Sequence, residues 1–464
     1  MKITALAITP DSSVDQTKNF PVTHELLAAS SARFSRSNLG IEDIHSKIDW
    51  SNVQKSTKSI FDMADYGHAS IRGLSGHIPV AIEDISMRLA YELFHIAQQA
   101  DGQESSTRYI DLSGSWKDRV PDIDSLFSFN NRGAMSRKEL IALIEDLYSY
   151  GFEMYEYALH FYSQQLEHNP GLVQYPENCG EKKKERLRRN YAFDRARYYL
   201  PFVTKTNVIL NMTAGAWGTC LSYISSFNIP EFQIVAERIR EQLQIFVPGL
   251  LKHADATEEH QSHIHRNYLG VSQGLGADLS SGYIRSTEPS YVTLWDRSSL
   301  SQLSGFERRH VIGTRYNRYD HHYYAIKEAT FKFSIQGITL AELRDLNRHR
   351  TGYRRSNMFH LGFFVPEELQ TGYHLQFMDR YENTLGAVMY YIDPQCIPNL
   401  YFLGTQTSFS HTLQLDKLIY EIELRTGPGS HFKYAEHMRE IYDQLVVMHP
   451  FLENVIQLGT AEPE

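Results

Sequence analysis

Three adjacent cationic side chains, Arg348, His349 and Arg350, end the stretch "ELRDLNRHR", whose spacing is otherwise that of an amphipathic helix. Successive residues of a helix point about 100° apart, so the three cannot share one solvent face. At a helix C-terminus they would complement the helix dipole. Arginine forks also bind phosphate oxygens and stack on planar rings. The residue types alone leave an anion site and a solvated helix cap as equal alternatives.

A second polar cluster, "QESSTRY", contains Ser106, Arg108 and Tyr109. A hydroxyl and a guanidinium two residues apart can hold one phosphate where the chain is extended or turning. A polar entry into a strand explains the same residues equally well. Further along, "DRARYYLP" places Arg197 shortly before a proline that ends any helix.

Several common active-site patterns are absent from the sequence. It contains no GxGxxG after a strand pattern, no P-loop motif and no GxSxG, so these three enzyme classes lack support. The three cysteines form no CxxC pair, and the histidines near position 260 lack the HExxH spacing, so no metal site is predicted. A net charge of -9 argues against a nucleic-acid polymer as partner. No apolar run is long enough to span a membrane, and we expect a cytoplasmic protein.

The elements that must position these clusters follow from the periodicity of apolar residues. Three- and four-residue spacing predicts a helix over 79–100, and Ser136 with Glu139 forms a capping-box pattern that starts a long helix over 136–168. Residues 328–350 change from period-two alternation to helical spacing, which predicts a strand followed by a helix. Comparison with this second stretch indicates the same order of strand, turn and helix around "EDIS" in the first half.

The shared order indicates an internal duplication. We expect an N-terminal domain over 1–255, a polar linker rich in glycine and serine over 256–288, and a C-terminal domain over 289–464. Two related units packed about a pseudo-twofold axis would behave as a fused homodimer.

The two clusters together resemble the signature of the flavin-dependent thymidylate synthases, in which Ser-x-Arg-Tyr follows Arg-His-Arg after a spacer. The second half, "FKFSIQGITLAELRDLNRHR", is similar in register through Arg350 but has no Ser-x-Arg-Tyr after it. The first half has "STRY" but shows "HIAQQA" where the triplet would stand. The signature is therefore divided between the halves. The resemblance implies an α/β (α+β) fold of two related units, each a curved, mainly antiparallel sheet packed with long helices.

The resemblance also implies roles for individual residues. "ARYYLP" is similar to a family motif at Arg197, "IELR" to another at Arg425, and "NMT" keeps Asn211 of the family's Asn-x-Arg. Catalytic roles are implied for Arg348, Arg350 and Arg108. Cofactor binding is implied for Arg348, His349, Arg350, His68, Glu104 and Asn211. Substrate binding is implied for Ser106, Arg108, Tyr109, Arg197, Arg425 and Asp345.

By this resemblance the protein would transfer a one-carbon unit from methylenetetrahydrofolate to C5 of dUMP or a related pyrimidine nucleotide, with FAD as cofactor and NADPH as reductant. If the halves pack as two family subunits do, the divided residues could meet in one composite site, and a homodimer would copy the family's tetramer. The divided signature also suits a catalytically inactive relative that binds flavin or nucleotide in a regulatory or structural role. An enzyme with an unrelated substrate is the third alternative.

Overall fold

The structure is a computed structural model, and it describes residues 1–5, 23–35, 37–47, 70–97, 101–130, 134–173, 175, 179–282, 284, 287–313, 322–349, 351–427 and 430–459. Compactness divides the chain into two units, neither of which is continuous in sequence. The first unit consists of Met1–Ser105, Arg119–Asn130 and Val203–Arg266. The second unit consists of Ser106–Asp118, Asn131–Phe202 and Asn267–Glu464.

Among its described residues, the first unit is built on an antiparallel sheet of four strands. They are Lys2–Ala5 (β1), His77–Ser86 (β2), Asp101–Glu104 (β3) and Lys205–Thr213 (β4). Their order across the sheet is β1-β2-β4-β3. On β2, the alternating residues Ile78, Val80 and Ile82 are fully buried, which is the period-two pattern of a strand with one face on the core.

The helix predicted over 79–100 was wrong in its first part, because residues 77–86 form β2 and the helix extends only over Met87–Ile96. The apolar spacing fits both elements. Pairing of β2 with β1 on one side and β4 on the other satisfies its backbone groups as a strand. Ser86 then caps the helix, since its hydroxyl accepts a hydrogen bond from the Leu89 amide at 3.0 Å. The alternative order of strand and then helix is confirmed.

Helices cover the sheet of the first unit. Trp217, on the helix Ala214–Ser225, is fully buried and donates its Nε1–H to the Ile78 carbonyl at 3.0 Å. The remaining helices within this unit are His24–Phe34, Ile41–Ser46, Ser70–Gly73, Met87–Ile96, Ile123–Leu126 and Pro230–Gln244.

The second unit contains a corresponding antiparallel sheet. Its described strands are Tyr291–Asp296 (β5), Thr330–Thr339 (β6), Tyr353–Arg355 (β7), Gly362–Phe363 (β8) and Thr405–Gln414 (β9). The order is β5-β6-β9-β7, with β8 also paired to β9. This repeats the order of the first sheet when β5, β6, β7 and β9 take the places of β1 to β4. The predicted strand and helix within 328–350 are confirmed.

The longest helix of the second unit is Arg137–His168. The predicted capping box is confirmed, because the Ser136 hydroxyl accepts from the Glu139 amide while the Glu139 carboxylate accepts from the Ser136 amide. The other helices are Glu181–Ala196, Gly305–Gly313, Tyr324–Glu328, Leu340–Asn347, Gly372–Val388, Leu415–Arg425 and Phe432–Met448.

Two helices contribute residues to both units, Trp116–Arg119 and Glu258–Ser281. The second of these occupies most of 256–288, where a linker was expected, so that segment is helical. Two antiparallel sheets combined with many helices confirm the predicted α+β class. Within the described ranges, no helix combines the length and the apolar character needed to cross a bilayer.

Candidate functional site

The helix Leu340–Asn347 ends directly before the cationic triplet. Thr339 and Glu342 form a capping box at its start, and Arg348 is its C-cap residue. Gly352 follows with φ +75°, and a Cβ there would lie 2.3 Å from the Thr412 carbonyl oxygen, so only glycine lets the chain turn into β7 this close to β9. Arg348 and His349 therefore stand in a tight connection between helix and strand. Arg350 lies outside the described residues.

The arginine of the "STRY" cluster is buried and paired. Arg108 donates from Nε and Nη2 to the two carboxylate oxygens of Asp194, at 2.7 and 3.1 Å. Its Nη1 donates to the Tyr434 hydroxyl at 3.3 Å. Burial raises the pKa of Asp194, but the charges of Arg108, His431 and Arg197 outweigh it and hold that pKa below its ordinary value. This is a bidentate, charge-assisted pair within the second unit.

A second buried pair joins sequence segments that are far apart. Arg197, in the short 3₁₀ turn Arg197–Tyr199, donates from Nη2 to Asp345 Oδ2 at 3.1 Å and from Nη1 to the Thr107 hydroxyl at 3.2 Å. Arg348 Nη2 donates to the other oxygen of Asp345. One carboxylate therefore bridges Arg197 to the first residue of the cationic triplet. The side chain of Arg348 is 24% exposed, whereas that of Arg197 is 1% exposed.

The third contact joins His349 to Arg425, which ends the helix Leu415–Arg425. Arg425 Nε donates to His349 Nε2 at 2.8 Å, and Arg425 Nη1 donates to the Tyr434 hydroxyl at 3.4 Å. The Arg425 guanidinium also lies 5.3 Å from the Tyr434 ring centroid. Because Tyr434 accepts from both Arg108 and Arg425, it links the "STRY" arginine to the histidine of the triplet.

His349 is held neutral in this surrounding. Burial lowers its pKa well below the ordinary value, and the nearby charges of Arg425, His411 and Arg348 lower it further. A neutral imidazole can accept the Arg425 hydrogen bond, whereas an imidazolium has no lone pair to offer.

The hydrogen-bonded network carries more positive than negative charge. Four arginines meet two aspartates in it: Arg108, Arg197, Arg348, Arg425, Asp194 and Asp345. Burial raises the pKa of Asp345, but the charges of all four arginines outweigh it and lower that pKa well below its ordinary range. The charges of all four guanidinium groups therefore reach the carboxylate of Asp345. An excess of buried cations of this kind suits the binding of an anion.

The other predicted site residues are more dispersed. The Ser106 hydroxyl accepts from the Arg108 amide at 3.2 Å, and the Tyr109 side chain is exposed. Glu104 ends β3 and Asn211 lies on β4, both in the first unit. His68 lies outside the described residues.

Sequence reasoning missed several residues of this network: Asp194, Thr107 and Tyr434. A carboxylate directly before two arginines in "DRAR" was a usable signal for Asp194, since buried arginines need compensating charge. Tyr434 stands in a helix of ordinary amphipathic pattern, and nothing in its sequence neighbourhood marks it as a ligand of two arginines.

The comparison with protein families gives one match. Residues 20–249 match the family described as thymidylate synthase complementing protein, which comprises the flavin-dependent thymidylate synthases. The matched range includes Arg108, Asp194 and Arg197 and ends before the triplet at Arg348. No curated protein matches the sequence of this chain.

Proposed function

Because residues 20–249 place this chain in the thymidylate synthase complementing protein family, we propose that it is a flavin-dependent enzyme acting on a pyrimidine nucleotide. The proposed reaction transfers a one-carbon unit from methylenetetrahydrofolate to C5 of dUMP or a related nucleotide, with NADPH as reductant. The observation that carries the proposal is the hydrogen-bonded network. It joins Arg108 and Arg197, from the family-matched range, to Arg348, His349 and Arg425, which lie beyond that range.

The residues of the network fit an FAD or nucleotide anion. The arginines outnumber the aspartates, and the Nε of Arg197 is buried without a hydrogen-bond partner in the part of the chain that the structure describes. Arg348 is the most exposed of the four arginines and offers the most direct contact to an incoming phosphate. We propose that Arg348 and His349 take part in FAD binding. The cofactor-binding roles of Arg350, His68, Glu104 and Asn211 stay predictions from the family resemblance. Reduced FAD, when bound, supplies the hydride.

The chain's own contribution in this proposal is electrostatic and positional. Arg108, Arg197 and Arg425 are held by Asp194, Asp345, Tyr434 and His349, so their guanidinium groups are oriented before any ligand arrives. Preoriented cations in a buried site stabilise phosphate and the negative charge that develops on a pyrimidine ring. We propose that Ser106 and Tyr109 complete the nucleotide contacts.

The repeated strand order supports a further part of the proposal, that the chain arose by duplication into domains 1–255 and 289–464. In both halves a strand leads directly into a helix whose N-cap is a hydroxyl residue, Ser86 or Thr339. Each chain would then supply one network of this kind, and a homodimer would contain two.

A second candidate function rests on the same geometry. Arg108 and Arg197 each already have an aspartate partner, which is also the arrangement of a protein that binds flavin or nucleotide without turning it over. Turnover separates the two candidates. Conversion of dUMP that depends on methylenetetrahydrofolate supports the enzyme, whereas flavin binding without product supports the regulatory or structural relative.

The experiment that tests the proposal is FAD binding, followed by visible absorbance and by flavin fluorescence quenching. Arg348→Ala should reduce FAD affinity by roughly tenfold or more, the effect of losing one charge-assisted hydrogen bond. Arg380→Ala is the matched control, because Arg380 also pairs with an aspartate, Asp146, but on the exposed surface. A wild-type protein that takes up no FAD, with or without dUMP, refutes the proposed function.

A further inference from the structure

A buried carboxylate and a second histidine lie behind His349. Glu421 Oε1 lies 3.8 Å from His349 Nδ1 and 3.5 Å from His411 Nδ1. Glu421 is 1% exposed and His411 is fully buried on β9. Glu421 also stands one helical turn before Arg425, so the helix Leu415–Arg425 carries both the carboxylate and the arginine toward the same histidine.

The hydrogen bond from Arg425 shows which nitrogen of His349 carries the proton. A guanidinium nitrogen only donates, so Nε2 of His349 must be the unprotonated acceptor. The single proton of the neutral ring therefore sits on Nδ1. That nitrogen is the one that faces Glu421.

The protonated nitrogen of His411 follows from its own hydrogen bond in the same way. Its Nε2 lies 2.6 Å from the Thr351 carbonyl oxygen, which only accepts, so Nε2 carries a proton. Its Nδ1 points to the same Glu421 oxygen that His349 faces. The carboxylate thus lies near the Nδ1 atoms of two imidazoles. The Nε2 of His349 accepts from Arg425, and the Nε2 of His411 donates to the Thr351 carbonyl.

The Glu421 carboxylate lies in the interior of the protein. Both of its carboxylate oxygens are buried without a hydrogen bond among the described residues. Burying an acid in this way is unfavourable unless nearby groups compensate for it. The nearest group that can do so is the Nδ1–H of His349.

We propose that Glu421 is a positioning residue that holds His349 in the Nδ1–H tautomer, so that the Nε2 lone pair fixes the Arg425 guanidinium. The tautomer itself is independent of any ligand. Its consequence for flavin or nucleotide binding rests on the proposed function.

The first test is nitrogen-15 NMR of histidine-labelled protein, which distinguishes the two tautomers of each ring. The His349 signals are assigned by their loss in His349→Gln. Wild type should show His349 with a protonated Nδ1 and a bare Nε2. Glu421→Leu should convert it to a mixture, and Glu421→Gln, which keeps an acceptor oxygen without the charge, should show a smaller shift in the same direction.

Glu423→Gln is the matched control, since Glu423 is a buried acid on the same helix that instead accepts from the Gln457 amide. It should leave the His349 tautomer unchanged. A wild-type His349 protonated on Nε2, or an unchanged tautomer population in either folded Glu421 variant, overturns the proposal.

The second test is FAD affinity of the same variants. Glu421→Leu should weaken FAD binding by about tenfold to a hundredfold, Glu421→Gln by less, and Glu423→Gln should not change it. If wild type binds no FAD while the tautomer behaves as expected, the proposed function fails and the positioning role stands. If FAD binds equally well to a variant with a mixed tautomer, the link between positioning and binding fails.

Discussion

Replacing Asp194 by asparagine tests how strongly the arginine network depends on internal charge compensation. Asparagine keeps the shape of the side chain but offers one acceptor oxygen and no charge. Arg108, which is 4% exposed, would then stay buried without the charge of Asp194 and with one of its two contacts to residue 194 lost. Breaking a buried pair by removing one partner costs about 3–5 kcal/mol, and we expect Asp194→Asn to lower the free energy of unfolding by that amount.

The matched control is Asp146→Asn on the surface. Asp146 pairs with Arg380 at 3.0 Å, but the two side chains are 63% and 46% exposed. Solvent screens this pair, so its loss should cost about 0–1 kcal/mol. Both arginines contact the two oxygens of their aspartate, Arg108 from two nitrogens and Arg380 from one, and burial accounts for most of the predicted difference.

Urea unfolding followed by circular dichroism measures both variants. A third variant, Arg108→Met combined with Asp194→Asn, also removes the buried cation and should recover part of the loss. The reasoning is refuted if Asp194→Asn destabilises the protein no more than Asp146→Asn. It is also refuted if the double variant is no more stable than Asp194→Asn.

Three further predictions concern the elements that hold the site and its counterpart. Burial raises the pKa of Glu231 from 4.5 to about 7. Its contribution to stability is therefore fully present below about pH 4.5, and about 3 kcal/mol of unfolding free energy is lost as the pH rises through about 7. Glu231→Gln should abolish this dependence of the unfolding free energy on pH, and an unchanged dependence contradicts the prediction. Gly352→Ala should destabilise by roughly 2 kcal/mol or more because φ is +75°, whereas Gly372→Ala, with open space around it, should not in the same denaturation assay. Ser136→Ala should lower the melting temperature through the loss of about 1 kcal/mol of helix capping, and an unchanged melting temperature would contradict that role.

Sequence reasoning succeeded where the physical signal is local. The capping box at Ser136 was predictable because its two partners stand three residues apart and need only a helix start to meet. The change from strand to helix at Thr339 was predictable because period-two alternation and helical spacing meet at one hydroxyl residue. The α+β class followed from such elements taken together with the family resemblance.

Local signals failed where two elements share one pattern. The isoleucines of 78–85 fit a helical stripe, while Ile78, Val80 and Ile82 alternate as in a strand, and the helical prediction over 79–86 was wrong. This segment forms a strand because β1 and β4 pair with its backbone groups on both sides. Those partners lie far away in the chain, so no window around 79–86 could reveal them.

By itself, the sequence determined which residue types could bind an anion and which local elements carry them. Tertiary structure alone decided their partners. Arg108 and Tyr434 are 326 positions apart, and Arg197 and Asp345 are 148 apart, yet each pair is in hydrogen-bond contact. Whether a cation is free or already compensated depends on burial and on distances of a few ångströms between remote segments. These quantities exist only once the chain has folded.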